Sequence, residues 1–380
     1  MSQFNLLQTR RSFLKTASLL AAYASLGAVR GNAQNRASFP YVDGLCTDIL
    51  SSTPEEFRAS GLAAVLADVS AAEEIKTEDG TLRFARTFES CARAIVAARQ
   101  GIRQRNELLL ATRGSEIKEA FQNGQTAIFL QFQGGEPVGE DLSRIDLFYE
   151  LGLRVLQITH HHNNALGGGA IEKNWSGLTK LGFEAVERMN TLGLVPDLSH
   201  ASDLTAREVL QTSKKPVILS HGAARAIVNN ARCTPDEIIR GVADSGGVMG
   251  IFMMSFWLTT EAEPTIAALI HQIRHVINVG GLDAAGMAND YSLAGQQYLA
   301  ELKNDNREGV QAYFPWWDSA AKIGALGFEQ RPQHVVIPEL NNIRRMFTIH
   351  AALEKSGFKI GEIEKIMGGN WIRVLTEALG

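Results

Sequence analysis

The sequence predicts a TIM-type (β/α)8 barrel, and three observations predict it. Eight apolar runs of strand length recur along the chain, amphipathic helix-like stretches separate them, and histidines follow three consecutive runs. The runs are "YVDGL" (41–45), "LAAVLADV" (62–69), "TAIFLQF" (126–132), "LRVLQIT" (153–159), "LGLVPDLS" (192–199), "PVILS" (216–220), "GVMGIFM" (247–253) and "LDAAGMAN" (282–289). They are continuous rather than alternating, as parallel strands covered on both faces require. A doubly wound open sheet is the alternative arrangement of the same elements.

Taken in order, the first run leads into Leu45, Cys46, Thr47 and Asp48. The third is followed by Gln133, the fourth by His160, the fifth by His200, the sixth by His221 and the eighth by Asp290. Between runs lie segments such as "DLSRIDLFYELG" and "LTAREVLQTS", with Asp or Ser near the start and Gly or Ser near the end, as helices begin and stop. In a barrel of this type the reacting groups sit at the carboxyl ends of the strands. The residues that follow the runs therefore form a polar ring around one mouth. His161 and His162, next in "THHHNN", read as solvated loop residues. Residues 292–338 fit no barrel element and read as a long insertion over the mouth. Its Trp316 and Trp317 either line a substrate cleft or pin the loop to the barrel.

The amino-terminal "TRRSFLKTASLLAAYASLGAVRGNA" pairs Arg10 with Arg11 ahead of a modest apolar stretch, Ala17 to Val29, and closes in small residues around Ala33. It resembles a twin-arginine export signal. The apolar stretch is shorter than the ~20 residues a membrane-spanning helix needs, so the expectation is no stable membrane anchor. Residues 1–33 would be cleaved near Ala33, and residues 34–380 would work in the periplasm as a single barrel domain. With 380 residues, 45% of them hydrophobic, the chain can bury a core without disulfides. A net charge of −4 and the lack of a long basic run argue against a nucleic-acid partner and for a small ligand. Three cysteines make no disulfide framework, though a Cys91–Cys233 pair stays open.

The stretch from "LTKLGFEAVERMNTLGLVPDLSH" through "PVILSHGAARAIVNNARCTPDEIIRGVADSGGVMGIFM", with "ELGLRVLQITH" and the closing "IMGGNWIRVL", resembles the zinc-dependent membrane (renal-type) dipeptidases, members of the amidohydrolase-like barrels. The resemblance extends over nearly the whole mature chain. It implies two zinc ions that share a bridging glutamate and act on dipeptides, and it makes a homodimer an expectation. By the same resemblance His200 and His221 fall where two histidines hold one zinc, His160 and Arg232 where substrate is held, and Asp290 where a catalytic aspartate follows the last strand.

The chain departs from that pattern at the other zinc. Where the family has Asp-Gly-His-x-Asp this sequence has "DGLCT", so Leu45 stands for the histidine and Thr47 for the aspartate. The bridging glutamate is Gln133 in "FQGGE". Two divalent ions side by side need anionic ligands to offset their repulsion, and these substitutions remove them. Cys46 and Asp48 would replace the lost ligands only if a local bulge turned them toward the mouth. The expectation is one zinc at most, on His200 and His221 with Asp290, in a hydrolase of dipeptides or related small amides. The alternative is a metal-free small-molecule-binding or tailoring protein, in which Gln133 satisfies the histidines.

Overall fold

The computed structural model describes residues 37–76 and 82–380, so the expected export signal lies outside the described residues. Eight parallel strands follow the eight apolar runs: β1 (Tyr41–Thr47), β2 (Leu62–Asp68), β3 (Thr126–Phe132), β4 (Leu153–Gln157), β5 (Val195–Asp197), β6 (Leu219–Gly222), β7 (Met249–Ile251) and β8 (Ala285–Met287). Continuous ladders join β1 through β5 and, separately, β6 through β8. A few short contacts close the two gaps. Asp197 bridges Ile218, with Leu198 N–H donating to the Ile218 carbonyl at 2.8 Å, and Asp290 N–H donates to the Leu45 carbonyl at 2.8 Å. Just beyond, Tyr291 and Ser292 pair in parallel with Cys46 and Thr47. The sheet returns to its first strand, which sets aside the open doubly wound alternative.

Several strands are shorter than their apolar runs because the chain turns out of the ladder early to build the mouth. The sequence did not announce two smaller features. Leu108–Leu110 pairs with the first half of β3, and a hairpin pairs Glu73–Lys76 with Leu82–Ala85.

Val42, Ala64, Leu66, Ala127, Phe129, Val155, Val195, Ile218 and Val248 share one fully buried cluster with Trp371 from the carboxyl-terminal helix, Asn370–Leu379. The Trp371 indole donates to the Met287 carbonyl at 3.1 Å. Its ring lies so close to Gly44 and Gly286 that a Cβ there would come within 2.3 and 2.6 Å of it, so only glycine fits. Arg373, on the same helix, binds the carbonyls of Gly246 and Gly247 just ahead of β7, so this helix enters from the amino-terminal end of the barrel. The "GGNW" stretch is thus a structural plug, and the mouth is left to the other end.

Residues 292–338 are not an irregular loop. They contain short helices at Gln297–Glu301, Asn306–Gly309 and Phe314–Lys322. Trp317 is buried against Phe328 and Phe256, with ring centroids 4.5 and 5.5 Å away, and it pins the segment down. Trp316 is half-buried and reaches toward the mouth, 6.1 Å from the His161 ring. Cys46, Cys91 and Cys233 are buried free thiols, so Cys91 and Cys233 do not pair. Cys91 lies against the Ala71 carbonyl and Cys233 against that of Trp257, which keeps them in separate parts of the core. Among the described residues no helix is long and apolar enough to cross a membrane.

Candidate active site

The mouth is asymmetric, and the difference begins with Asp197 at the end of β5. This fully buried carboxylate accepts from Ser199 Oγ (2.8 Å), from the Ser199 and Ser220 amides (both 2.9 Å), from Ser220 Oγ (2.5 Å) and from Gln131 Nε2 (2.9 Å). Burial pushes its pKa up, and the hydroxyl and amide donors pull it back. The two Ser-His endings therefore fold around one anion. Because Ser220 Oγ gives its hydrogen to Asp197, its contact with His221 Nδ1 at 2.8 Å must be a bond donated by the imidazole. His221 Nε2 is then a bare lone pair.

His200 sits just after β5 with φ 66°, in left-handed backbone that non-glycine residues seldom adopt. Its carbonyl accepts from Ala170 N–H at 2.7 Å, and the next turn is fixed by Ser202, whose side chain caps the helix Asp203–Thr212. The outcome is that His200 Nε2 faces His221 Nε2 at 2.8 Å. Arg232 Nη2 approaches the same His200 nitrogen at 3.0 Å, and since a guanidinium only donates, that nitrogen carries no hydrogen of its own and accepts from Arg232. The guanidinium is buried over the Phe252 and Trp257 rings, 5.3 and 5.5 Å from their centroids. Burial, with Arg232 beside them, holds both imidazoles well below the usual histidine range. They are neutral ligand nitrogens at pH 7.

Asp290, after β8, is also buried in left-handed backbone, at φ 61°. Burial raises its carboxyl to about 7, against the pull of Arg232. His160 is buried and stacks on His200 with ring centroids 4.4 Å apart. The expectation for His161 needs correction. Its ring is half-buried and stands edge-on to His160 and His200, at 4.1 and 4.7 Å. His162 is the exposed one, paired with Glu172 at 2.9 Å.

The β1 side is built differently. Leu45 is fully buried and has no ligand atom. The β1–β2 register does shift between Asp43 and Cys46, yet Cys46 packs in the apolar layer and Asp48 is exposed, so the pair does not converge on the mouth. Gln133 does not satisfy a histidine. Its Nε2 donates to Asp68 at 3.0 Å, and its N–H points at the same carboxylate. Asp68, the last residue of β2, is a site group that the sequence reading passed over because the apolar run extended one residue further. Asp197, inside the fifth run, was overlooked in the same way.

The membrane dipeptidase family (peptidase family M19) matches residues 53–307. The chain belongs to that family. Within it, the dipeptidase tcpJ of Claviceps purpurea (strain 20.1) is 28% identical over 275 residues. That match takes in 70% of this chain and 55% of the relative, so the chain spans about half the length of that protein. Among solved structures, an amidohydrolase from Pseudomonas aeruginosa superposes with a TM-score of 0.74 at 26% identity, over 92% of this chain and 99% of that one. A metallopeptidase from Rhodobacter sphaeroides, liganded with a phosphinate mimic of the dipeptide L-Ala-D-Ala, shares the fold. Its TM-score is 0.71 at 17% identity, over 90% of this chain and all of that one. The dipeptidase family thus accounts for the barrel, and the ring of histidines at its mouth includes a cluster able to hold a metal.

Proposed function

We propose that the chain hydrolyses dipeptides or related small amides with one zinc ion at most, held by His200 and His221 with Asp290 beside them. The observation that supports this best is the pair of unprotonated Nε2 atoms 2.8 Å apart. Two buried lone pairs that face each other repel unless a cation or donor intervenes, and burial disfavours a proton on either ring. This donor set fits a zinc ion. When bound, the ion would polarise the scissile carbonyl and ease ionisation of a water. The chain's own groups do the rest. Arg232 meets the substrate carboxylate or carbonyl oxygen. Asp290, with its carboxyl near neutrality, accepts a proton and passes it on. His160 lines the substrate side, and Leu45, Thr47 and Gln133 offer no second ion an anionic ligand.

One observation favours a second reading, a metal-free binder in the same pocket. Arg232 already gives a hydrogen to His200 Nε2, the nitrogen a metal would need. Metal analysis after purification without chelator, followed by a dipeptide assay with added zinc, separates the two. The hydrolase reading expects one zinc per chain, lost in the His200→Ala/His221→Ala double variant. No metal together with no cleavage would sink it. In the binder, Arg232→Ala should weaken a carboxylate ligand by about 1.5–3 kcal/mol, the scale of a hydrogen bond to a charged group. Unchanged affinity would count against that reading. Export through the Arg10–Arg11 signal into the periplasm belongs to the same proposal, and the Arg10→Lys/Arg11→Lys double variant should stay inside the cell.

A further inference from the structure

The His200/His221 pair uses one nitrogen of His200, Nε2. Around the same ring lies a second arrangement that no motif assigned. His160 stacks on His200 with only 24° between the ring planes, and His161 stands edge-on to both. Each of the three offers a ring nitrogen, and these nitrogens all lie within 4.8 Å of one another. Independently, Nδ1 of His161 and Nδ1 of His200 are both buried without a hydrogen-bond partner among the described residues. His200 Nδ1 carries the ring hydrogen, since Arg232 donates to Nε2, so it offers no lone pair; the unpaired Nδ1 of His161, costly to leave buried, is the atom that points to a ligand in this cluster.

The backbone holds the cluster together. A Cβ at Gly169 would fall 2.5 Å from the His161 carbonyl, so this glycine permits the close approach of the His161 turn. The same Gly169 bridges Ala201, the residue after His200, and the next residue, Ala170, donates to the His200 carbonyl. His161 and His200, far apart in sequence, are thereby tied to one short turn. All three rings are kept neutral chiefly by burial, with Arg232 adding to the effect.

We propose that His160, His161 and His200 form a three-imidazole centre for one divalent transition metal, in competition with His221 for the ion. Three neutral nitrogen donors without a carboxylate favour Cu2+ and Zn2+ over Mg2+ and Ca2+, which prefer oxygen. A neutral imidazole has a single lone-pair nitrogen, so His200 serves one ion at a time and the chain holds one ion in either position. The three-imidazole centre is a second position for the ion beside the His200/His221 pair, on which the hydrolase reading rests.

The test uses the full chain stripped with chelator and titrated with Cu2+ and, separately, Zn2+. Bound metal is read by elemental analysis, and quenching of tryptophan emission reports Cu2+ near Trp316. His161→Ala should weaken binding at least tenfold, and His221→Ala should lose less than His161→Ala. A smaller loss in His161→Ala overturns the proposal, as does a larger loss in His221→Ala; that second pattern places the ion at the hydrolytic pair and leaves the hydrolase reading intact. Absence of dipeptide cleavage alongside His161-dependent binding would do the reverse. If His161→Ala does not fold, His161→Gln, checked by its metal-free melting temperature, takes its place under the same criteria.

Discussion

The carboxyl ends of β1 and of the β5–β6 pair border the same mouth, yet they are built differently. At β5–β6, a buried aspartate, two serines and a glutamine orient His221, so that its Nε2 and that of His200 converge. At β1, Leu45 and Cys46 are packed as core, and Gln133, after β3, is tied to Asp68. One side keeps ligands and the hydrogen bonds that aim them. The other presents apolar packing and an amide–carboxylate bond. The lesson is that imidazole nitrogens are aimed by the hydrogen bonds behind them, and at this mouth such bonds back the β5–β6 side, whereas the β1 side is packed as core.

The largest effect should come from removing the support on the β5–β6 side. Asp197→Ala leaves Ser199, Ser220 and Gln131 with buried unpaired groups, and should cost about 3 kcal/mol of stability, the upper end for one buried polar group left unsatisfied. Losing the carboxylate that orients a ligand should also lower zinc affinity about 10–100-fold. Chemical denaturation and metal competition measure the two. An affinity equal to wild type would mean that the two sides do not differ in the way described.

Attempts to place ligands on the β1 side come next. The triple variant Leu45→His, Thr47→Asp and Gln133→Glu should raise zinc occupancy toward two per chain; no gain would place the fault in pocket geometry rather than ligand identity. Gln133→Glu alone sets a second carboxylate against Asp68 in place of a 3.0 Å hydrogen bond. Without metal it should destabilise the fold by about 1–3 kcal/mol, the cost of a polar pair broken by removing one partner. A neutral result would show that Asp68 is free to turn away.

A subtler contrast lies within β1. Asp43 is buried, accepts from the Leu45 and Asn289 amides, and has its carboxyl raised to about 7, chiefly by burial. A raised carboxyl favours the fold while protonated. Its contribution is complete below the unfolded value near 4 and is lost as pH rises from there through about 7. Asp43→Asn keeps an acceptor and removes this slope. Its stability relative to wild type should therefore improve with pH across that window, by up to about 1.4 kcal/mol per pH unit. Flat relative stability would contradict the burial of that carboxyl. Asp290 should leave its own mark on activity. In the zinc-loaded protein kcat/KM should rise with pH to a plateau whose midpoint lies no higher than about 7, because a nearby cation lowers the carboxyl from its raised value.

Much of this was legible in the sequence. Parallel strands covered on both faces must be apolar throughout, so the eight strands stood out as runs, and His160, His200, His221 and Asp290 could be read from their ends. Strand ends were less legible. β5 keeps only Val195–Asp197 of its apolar run because the chain turns early toward His200, and that hid the role of Asp197. Asp68 was lost to a one-residue error in the end of β2, since Val69 extends the apolar run beyond the last paired residue. His161 looked like a loop residue because nothing local shows that Gly169 and Ala170 fold the following loop back onto His200. The packing of Trp317 under the mouth segment is likewise a long-range outcome, set by Phe256 and Phe328.

Zinc stoichiometry of the full chain, purified without chelator and then equilibrated with excess zinc, tests most directly the claim that one side of the mouth can hold a metal and the other cannot. One ion per chain, abolished when His200 and His221 are both replaced by alanine, is the predicted result. Two ions per chain in the unaltered protein would contradict it.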